Sequence, residues 1–186
     1  RTSVFSKRWR LHSDNFRTLE DSIESMFFRD DGKLLFTFGS DNDTVYTFEL
    51  SEPWEISSIT KLTNSFSVTS LETAPTGLYF SKDGISMYIV GTTYQVIRQY
   101  TLSTAWNVST ATFTRGFSVS TVDTGPQGIS FSGDGTRLYL VGSTNDRISE
   151  YLLSTPWDIS TRYSYRIENL HPDFNPSPRK VARSTS

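Results

Sequence analysis

Residues 117–135 read FSVSTVDTGPQGISFSGDG, and residues 66–84 read FSVTSLETAPTGLYFSKDG. Ten of the nineteen positions are identical at a separation of 51 residues, and several others are close exchanges such as Asp123 for Glu72. A phrase spelled twice at that distance marks a structural unit built more than once. Other markers keep the same period. The pairs Asp31-Gly32, Asp83-Gly84 and Asp134-Gly135 lie 52 and 51 residues apart, as do Trp54, Trp106 and Trp157, and Gly39, Gly91 and Gly142. Each Trp stands in a matching phrase: LSEPWEISS, LSTAWNVST, LSTPWDIST. The chain therefore holds three tandem copies of one unit.

Within a unit the pattern is β throughout. In the second copy GLYFS (77–81) reads as a short strand, KDG as a tight hairpin turn, SMYIVG (86–91) as a second strand and VIRQYTLS (96–103) as a third. After the Trp phrase, TATFTRGFSVST (110–121) reads as a fourth. No window has helical periodicity. Four antiparallel strands per 51-residue repeat, with a Gly and aromatic signature in each, describe a β-propeller blade. The fold class is all-β, with a solenoid or a sandwich as the alternatives weighed. Phe28, Phe80 and Phe131 recur in strand one, Phe36, Tyr88 and Tyr139 in strand two, and Phe48, Tyr100 and Tyr151 in strand three, as inter-blade core. The opening phrase is then a junction: the last strand of one blade, a proline crossing at Pro75 or Pro126, and the first strand of the next.

The divisions expected are a basic segment at 1–19 with a strand-like piece at 6–16, blades at 20–74, 75–125 and 126–168, and a basic tail at 169–186. The first blade departs most, with Ile23-Glu24-Ser25 in place of the Pro-x-Gly that opens the others. Three blades cannot close a ring, since closed propellers have about four to eight. The incomplete ring is expected to be closed by oligomerisation or by further blades.

Composition agrees and narrows the chemistry. Thirteen Phe, nine Tyr and four Trp among 186 residues suit pleated, half-buried surfaces. There is no Cys, which excludes disulfides and thiolate metal sites. No apolar run is long enough to cross a membrane as a helix, so no membrane insertion is expected. The net charge of −2 hides an asymmetry: residues 20–161 carry eight Lys/Arg against seventeen Asp/Glu, while both ends are basic. The aromatic residues lie mainly in the acidic body, which argues against nucleic-acid binding.

Few residues stand out as a site. The Asp-Gly turns lack the alternating carboxylates of a calcium loop, and no metal or cofactor is expected. GSDNDT (39–44) and GSTNDR (142–147) cluster carboxylates and amides where a polar turn belongs after strand two. Trp54, Trp106 and Trp157 read as structural aromatics of the repeat. Where the copies disagree, shared packing is no explanation. The second copy has Tyr94-Gln95 where the others have Asn-Asp, and Arg98 where they have Tyr46 and Ser149. Tyr94 and Arg98 are thus the candidate ligand-binding pair. No nucleophile–base pair has recognisable spacing, and His12 and His171 lie in the non-repeated ends, so no catalytic residue is assigned.

The phrases FSVSTVDTGPQGISFSGDGTRLYLVGS (117–143) and EYLLSTPWDIST (150–161) resemble a propeller-type repeat family found in bacteriophage tail, tail-fibre and other virion proteins. The resemblance covers roughly residues 20–161 and brings no catalytic residue with it. It implies a non-enzymatic structural and adhesion component of a phage particle, located in the virion and making assembly contacts with its own copies or with other virion proteins, or binding a host-surface glycan. The alternatives are a secreted enzyme or sensor propeller, such as a lactonase-like hydrolase, and a scaffold module of a larger protein.

Overall fold

The computed structural model describes residues 22–165. The strand-like piece at 6–16, both basic ends and both histidines lie outside them. The described residues form twelve strands in three four-stranded antiparallel sheets. The first holds β1 (Ile23–Phe28), β2 (Leu34–Gly39), β3 (Thr44–Leu50) and β4 (Ile59–Ser67), paired in chain order. The second holds β5 (Pro75–Phe80), β6 (Ser86–Gly91), β7 (Val96–Leu102) and β8 (Ala111–Ser118), and the third β9 (Pro126–Phe131), β10 (Arg137–Gly142), β11 (Arg147–Leu153) and β12 (Arg162–Tyr165). The leading strand β5 lies against both β1 and β9, so the sheets fan outward from three neighbouring strands. They do not close into a ring. The three-blade reading of the repeat is the architecture observed.

Each blade has two ends. One carries the Asp-Gly turns and is called the turn end here. Gly32, Gly84 and Gly135 have φ of +69°, +72° and +71°, which only glycine adopts freely. The preceding carboxylate closes the turn: Asp83 Oδ1 accepts from Ser81 Oγ at 2.6 Å and Ile85 N at 3.0 Å, and Asp134 Oδ1 from Ser132 Oγ and Thr136 N at the same two distances. The tryptophans belong to these turns. Trp54, Trp106 and Trp157 have φ of about +65°, and their amides donate to the Gly32, Gly84 and Gly135 carbonyls. A Cβ on Gly84 would stand 2.3 Å from the Trp106 ring. Each Trp thus locks the link between strands three and four onto the turn between strands one and two. After it, a single 3₁₀ turn is capped by Glu55, Asn107 or Asp158 accepting from the amide two residues on.

The core lies between blades. Phe36, Phe38 and Val45 of the first meet Leu78, Phe80, Met87, Ile89 and Tyr100 of the second, with Trp106 against them. Tyr88, Val90 and Ile97 of the second meet Ile129, Phe131, Leu138, Leu140 and Tyr151 of the third, with Trp157 against them. Central strands are therefore apolar on both faces, since each blade is packed on two sides. The rings of Phe36 and Phe80, and of Tyr88 and Phe131, meet at 4.4 Å in the same tilted geometry. One expectation shifts in detail. Pro75 and Pro126 are the first residues of β5 and β9 rather than part of the crossing; Pro is tolerated there because the first position need not donate.

Candidate functional site

At the opposite, crossing end, each blade-to-blade connection meets the loop between the second and third strands. An acid in the crossing binds the two together. Glu72 Oε1 accepts from Ala74 N and Thr93 N, both at 3.1 Å, and Oε2 accepts from Arg98 Nη1 at 2.9 Å. Asp123, at the equivalent place, accepts from Gly125 N at 2.7 Å, Thr144 N at 3.3 Å and Asn145 N at 2.9 Å. The carboxylates lie directly on Gly91 and Gly142, where a Cβ would come within 2.4 and 2.2 Å of them. That contact is the reason for glycine at those places. Burial raises the Asp123 pKa, but its backbone N–H donors outweigh burial and hold the carboxyl below the usual carboxylate range.

The sequence candidates fall on this clasp. Tyr94 is exposed, on the loop between β6 and β7, which turns through Gln95 at φ +49°. Arg98 lies beneath it with the guanidinium 5.3 Å from the ring centroid. Arg98 is only 6 % exposed and Glu72 is fully buried. The guanidinium is committed to an ion pair inside the blade, which leaves Tyr94 as the accessible member of the pair. The longer Glu72 and Arg98 together replace what Asp123 does in the third blade with the Asn145 amide, where Ser149 stands in the place of Arg98. The tryptophans are at the other end, their rings laid on the turn glycines.

A further feature escaped the sequence reading. The leading strand of every blade bulges at the crossing end. Pairing passes from Ile23–Gly39 to Ser25–Phe38 in β1, from Pro75–Gly91 to Gly77–Val90 in β5, and from Pro126–Gly142 to Gly128–Val141 in β9. The extra residues are Glu24, Thr76 and Gln127. Bulges re-aim side chains and gather near active sites. Here they sit where the sheets converge, at the mouth of the fan. β5 and β9 approach closely there, since a Cβ on Gly77 would stand 3.0 Å from Gly128 Cα. Thr76 Oγ1 donates to the Pro126 carbonyl at 2.7 Å and ties those two strands. Gln127 is exposed, its amide 3.4 Å from Ser143 Oγ. Glu24 is exposed and accepts from Ser22 Oγ and Ser40 Oγ, both at 3.3 Å, through one carboxylate oxygen. The signal lay in the middle residue of the triplet that opens each blade, Ile23-Glu24-Ser25, Pro75-Thr76-Gly77 and Pro126-Gln127-Gly128: Glu, Thr and Gln differ inside phrases whose packing residues repeat. Among the described residues no three His, Asp or Glu side chains converge as metal donors.

No protein-family model matches the chain, and no curated protein matches it. Solved structures do. A protein from Bacteroides fragilis assigned as a 6-phosphogluconolactonase superposes with a TM-score of 0.57 at 19% identity, over 81% of this chain and 43% of its own. The periplasmic gluconolactonase of Pseudomonas aeruginosa gives 0.54 at 14% identity, over 76% and 37%. The Swd1 β-propeller domain of Myceliophteria thermophila gives 0.51 at 13% identity, over 71% and 38%. The chain thus spans about two fifths of the length of these structures and shares their propeller fold. The comparison corrects the expectation of a non-enzymatic phage component. The neighbours include proteins named as gluconolactonases, and none of the virion, tail-fibre or host-attachment terms finds support.

Proposed function

We propose that this chain supplies three blades of a lactonase-like propeller whose crossing-end mouth takes a sugar-derived lactone. The observation that carries the reading is the repeated bulge. One backbone device, built three times, presents Glu24, Thr76 and Gln127 at the convergence of the sheets, and these are side chains the packing does not require to differ. The likeness of the fold to proteins named as gluconolactonases supports the choice of substrate class.

Ring opening asks little of a protein beyond position and a base. Water adds to the lactone carbonyl carbon, the bond from that carbon to the ring oxygen breaks, and a carboxylate, a hydroxyl and a proton result. Glu24 is the carboxylate placed to accept the proton from the attacking water, and Ser22 and Ser40 fix its orientation. The Gln127 amide and the exposed Tyr94 ring offer a donor and an apolar wall to a polyhydroxylated ring. The test is proton release from a panel of aldonolactones, read by pH-stat above the spontaneous rate. Glu24→Gln is expected to reduce turnover at least 100-fold with the fold intact, because general-base catalysis contributes on the order of 10²–10⁴. No turnover by the wild-type chain, or full turnover by Glu24→Gln, sinks the reading.

A further inference from the structure

Among the Asp-Gly turns, at the end opposite the crossing-end mouth, lies a cleft of about 170 Å³. It is centred on the second blade, with the first and third on either side, so each of its walls lies within the chain. Phe27 of the first blade, Tyr79 and Trp106 of the second and Trp157 of the third line it, with Asp30, Lys82 and Gly133 at its rim. The rings brace one another: Phe27 meets the Tyr79 ring edge-on at 5.3 Å and stacks along Trp106 at 6.3 Å. A space of this size walled by fixed rings suits a flat apolar body, since a cavity of about 150 Å³ takes a benzene.

Two positions of the repeat that line the cleft are places where the copies disagree. Asp30, Lys82 and Gly133 occupy one of them, and the Asp-Gly that follows is the same in all three blades. Phe27, Tyr79 and Ser130 occupy the other, and the Phe that follows is again the same. The hairpin and the packing account for the constant residues and leave these two positions open to another use. At Gly133 the backbone is outside the positive-φ region, and a Cβ would meet nothing within 4 Å. Neither conformation nor crowding therefore requires glycine there; its missing side chain keeps the third side of the cleft open. Asp30 and Lys82 are both exposed, and among the described residues neither is drawn into an ion pair. Burial raises the Tyr79 pKa and the Asp30 carboxylate adds to the rise, so the phenol stays a donor.

We propose that this cleft binds a small zwitterion with a flat apolar body, of the class of the free aromatic α-amino acids. The ligand ring lies among Phe27, Tyr79, Trp106 and Trp157, its ammonium meets Asp30, and its carboxylate meets Lys82. A neutral lactone carries neither charge, so the two ends of the blades take different ligands. The inference stands on the turn end alone and does not depend on the lactonase reading.

The test is an NMR titration of the full chain, read at the indole N–H resonances of Trp106 and Trp157. The probes are L-phenylalanine, 3-phenylpropionate, which lacks the ammonium, and phenethylamine, which lacks the carboxylate. L-Phenylalanine is expected to shift both resonances saturably with a Kd of about 1 mM or below, and to leave that of Trp54 in place. Each analogue is expected to bind about three- to fivefold more weakly, as for the loss of an exposed ion pair. Asp30→Asn is expected to weaken L-phenylalanine by the same factor and leave 3-phenylpropionate unchanged, and Lys82→Gln to weaken it and leave phenethylamine unchanged. Gly133→Leu fills the open side without displacing a neighbour, and is expected to abolish saturation while keeping the circular dichroism of the parent. The absence of saturable shifts with L-phenylalanine overturns the proposal, as does binding that a folded Gly133→Leu leaves undisturbed. Equal affinity for all three probes also overturns it, because the two rim charges then recognise nothing.

Discussion

Two buried tyrosines on neighbouring strands of the second blade are held on different terms. Tyr88 donates its hydroxyl to the Trp157 carbonyl across the seam, whereas the hydroxyl of Tyr100 is buried with no hydrogen-bond partner. Burial pushes the Tyr100 phenol up to about 12. A net hydrogen bond is worth about 1 kcal/mol, and an unsatisfied buried group costs about as much or more. Tyr88→Phe is expected to lower unfolding stability by about 1 kcal/mol, and Tyr100→Phe to leave it unchanged or raise it, both measured by urea denaturation. A Tyr100→Phe loss as large as that of Tyr88→Phe contradicts the assignment. The turn glycines give a second test at this scale. Gly84→Ala forces a Cβ into the Trp106 ring at a φ of +72°, so the strain and the displaced ring together are expected to cost more than about 2 kcal/mol.

At the scale of the element, the crossing clasp is the device that varies while its purpose stays. Arg98 and Glu72 form a buried pair whose separation strands a charge. Arg98→Met is expected to destabilise by about 3 kcal/mol, and adding Glu72→Gln to restore part of it, since removing both charges costs less than removing one. If the double variant is the less stable, the pair is not what holds the loop. Asp123 answers to pH. Its folded-state pKa lies below the unfolded carboxylate value of about 3.9, so its contribution is whole above that pH and is lost as pH falls through the folded value. Asp123→Asn is expected to flatten stability against pH below about 4, and an unchanged acid limb speaks against the clasp.

Legibility in the sequence follows the same division. The blade count and the hairpin turns were readable, as were Phe36, Tyr88, Phe80, Phe131, Tyr100 and Tyr151 as inter-blade aromatics, because packing against a repeated neighbour demands the same residue at the same place; Phe28 and Phe48 instead pack within the first blade and Tyr139 is half-buried. The Trp residues were readable as structural, yet their partner was not, since nothing local ties Trp106 to Gly84 across 22 residues. Arg98 was noticed for its difference, but its burial depends on Glu72 in another loop. The bulges at Glu24, Thr76 and Gln127 add no residue to the period, so they shift pairing without shifting spacing. The proposed function rests on that silent register change.

At the scale of the whole molecule, the three blades fan outward from the neighbouring strands β1, β5 and β9. The mouth at the crossing end is the central claim, because the clasp, the bulges and the one accessible sequence candidate, Tyr94, all lie there. The tryptophan-rich turn end carries an aromatic cleft of about 170 Å³ lined by Phe27, Tyr79, Trp106 and Trp157 with Asp30 and Lys82 at its rim, and it is the natural competitor. The most direct measurement is a crystal structure of the chain soaked with gluconate, the ring-opened product of the proposed lactone class. Ordered ligand density against Glu24 and Gln127 at the crossing end is the expected result. Density confined to the turn-end cleft, with the crossing end empty, would contradict the account.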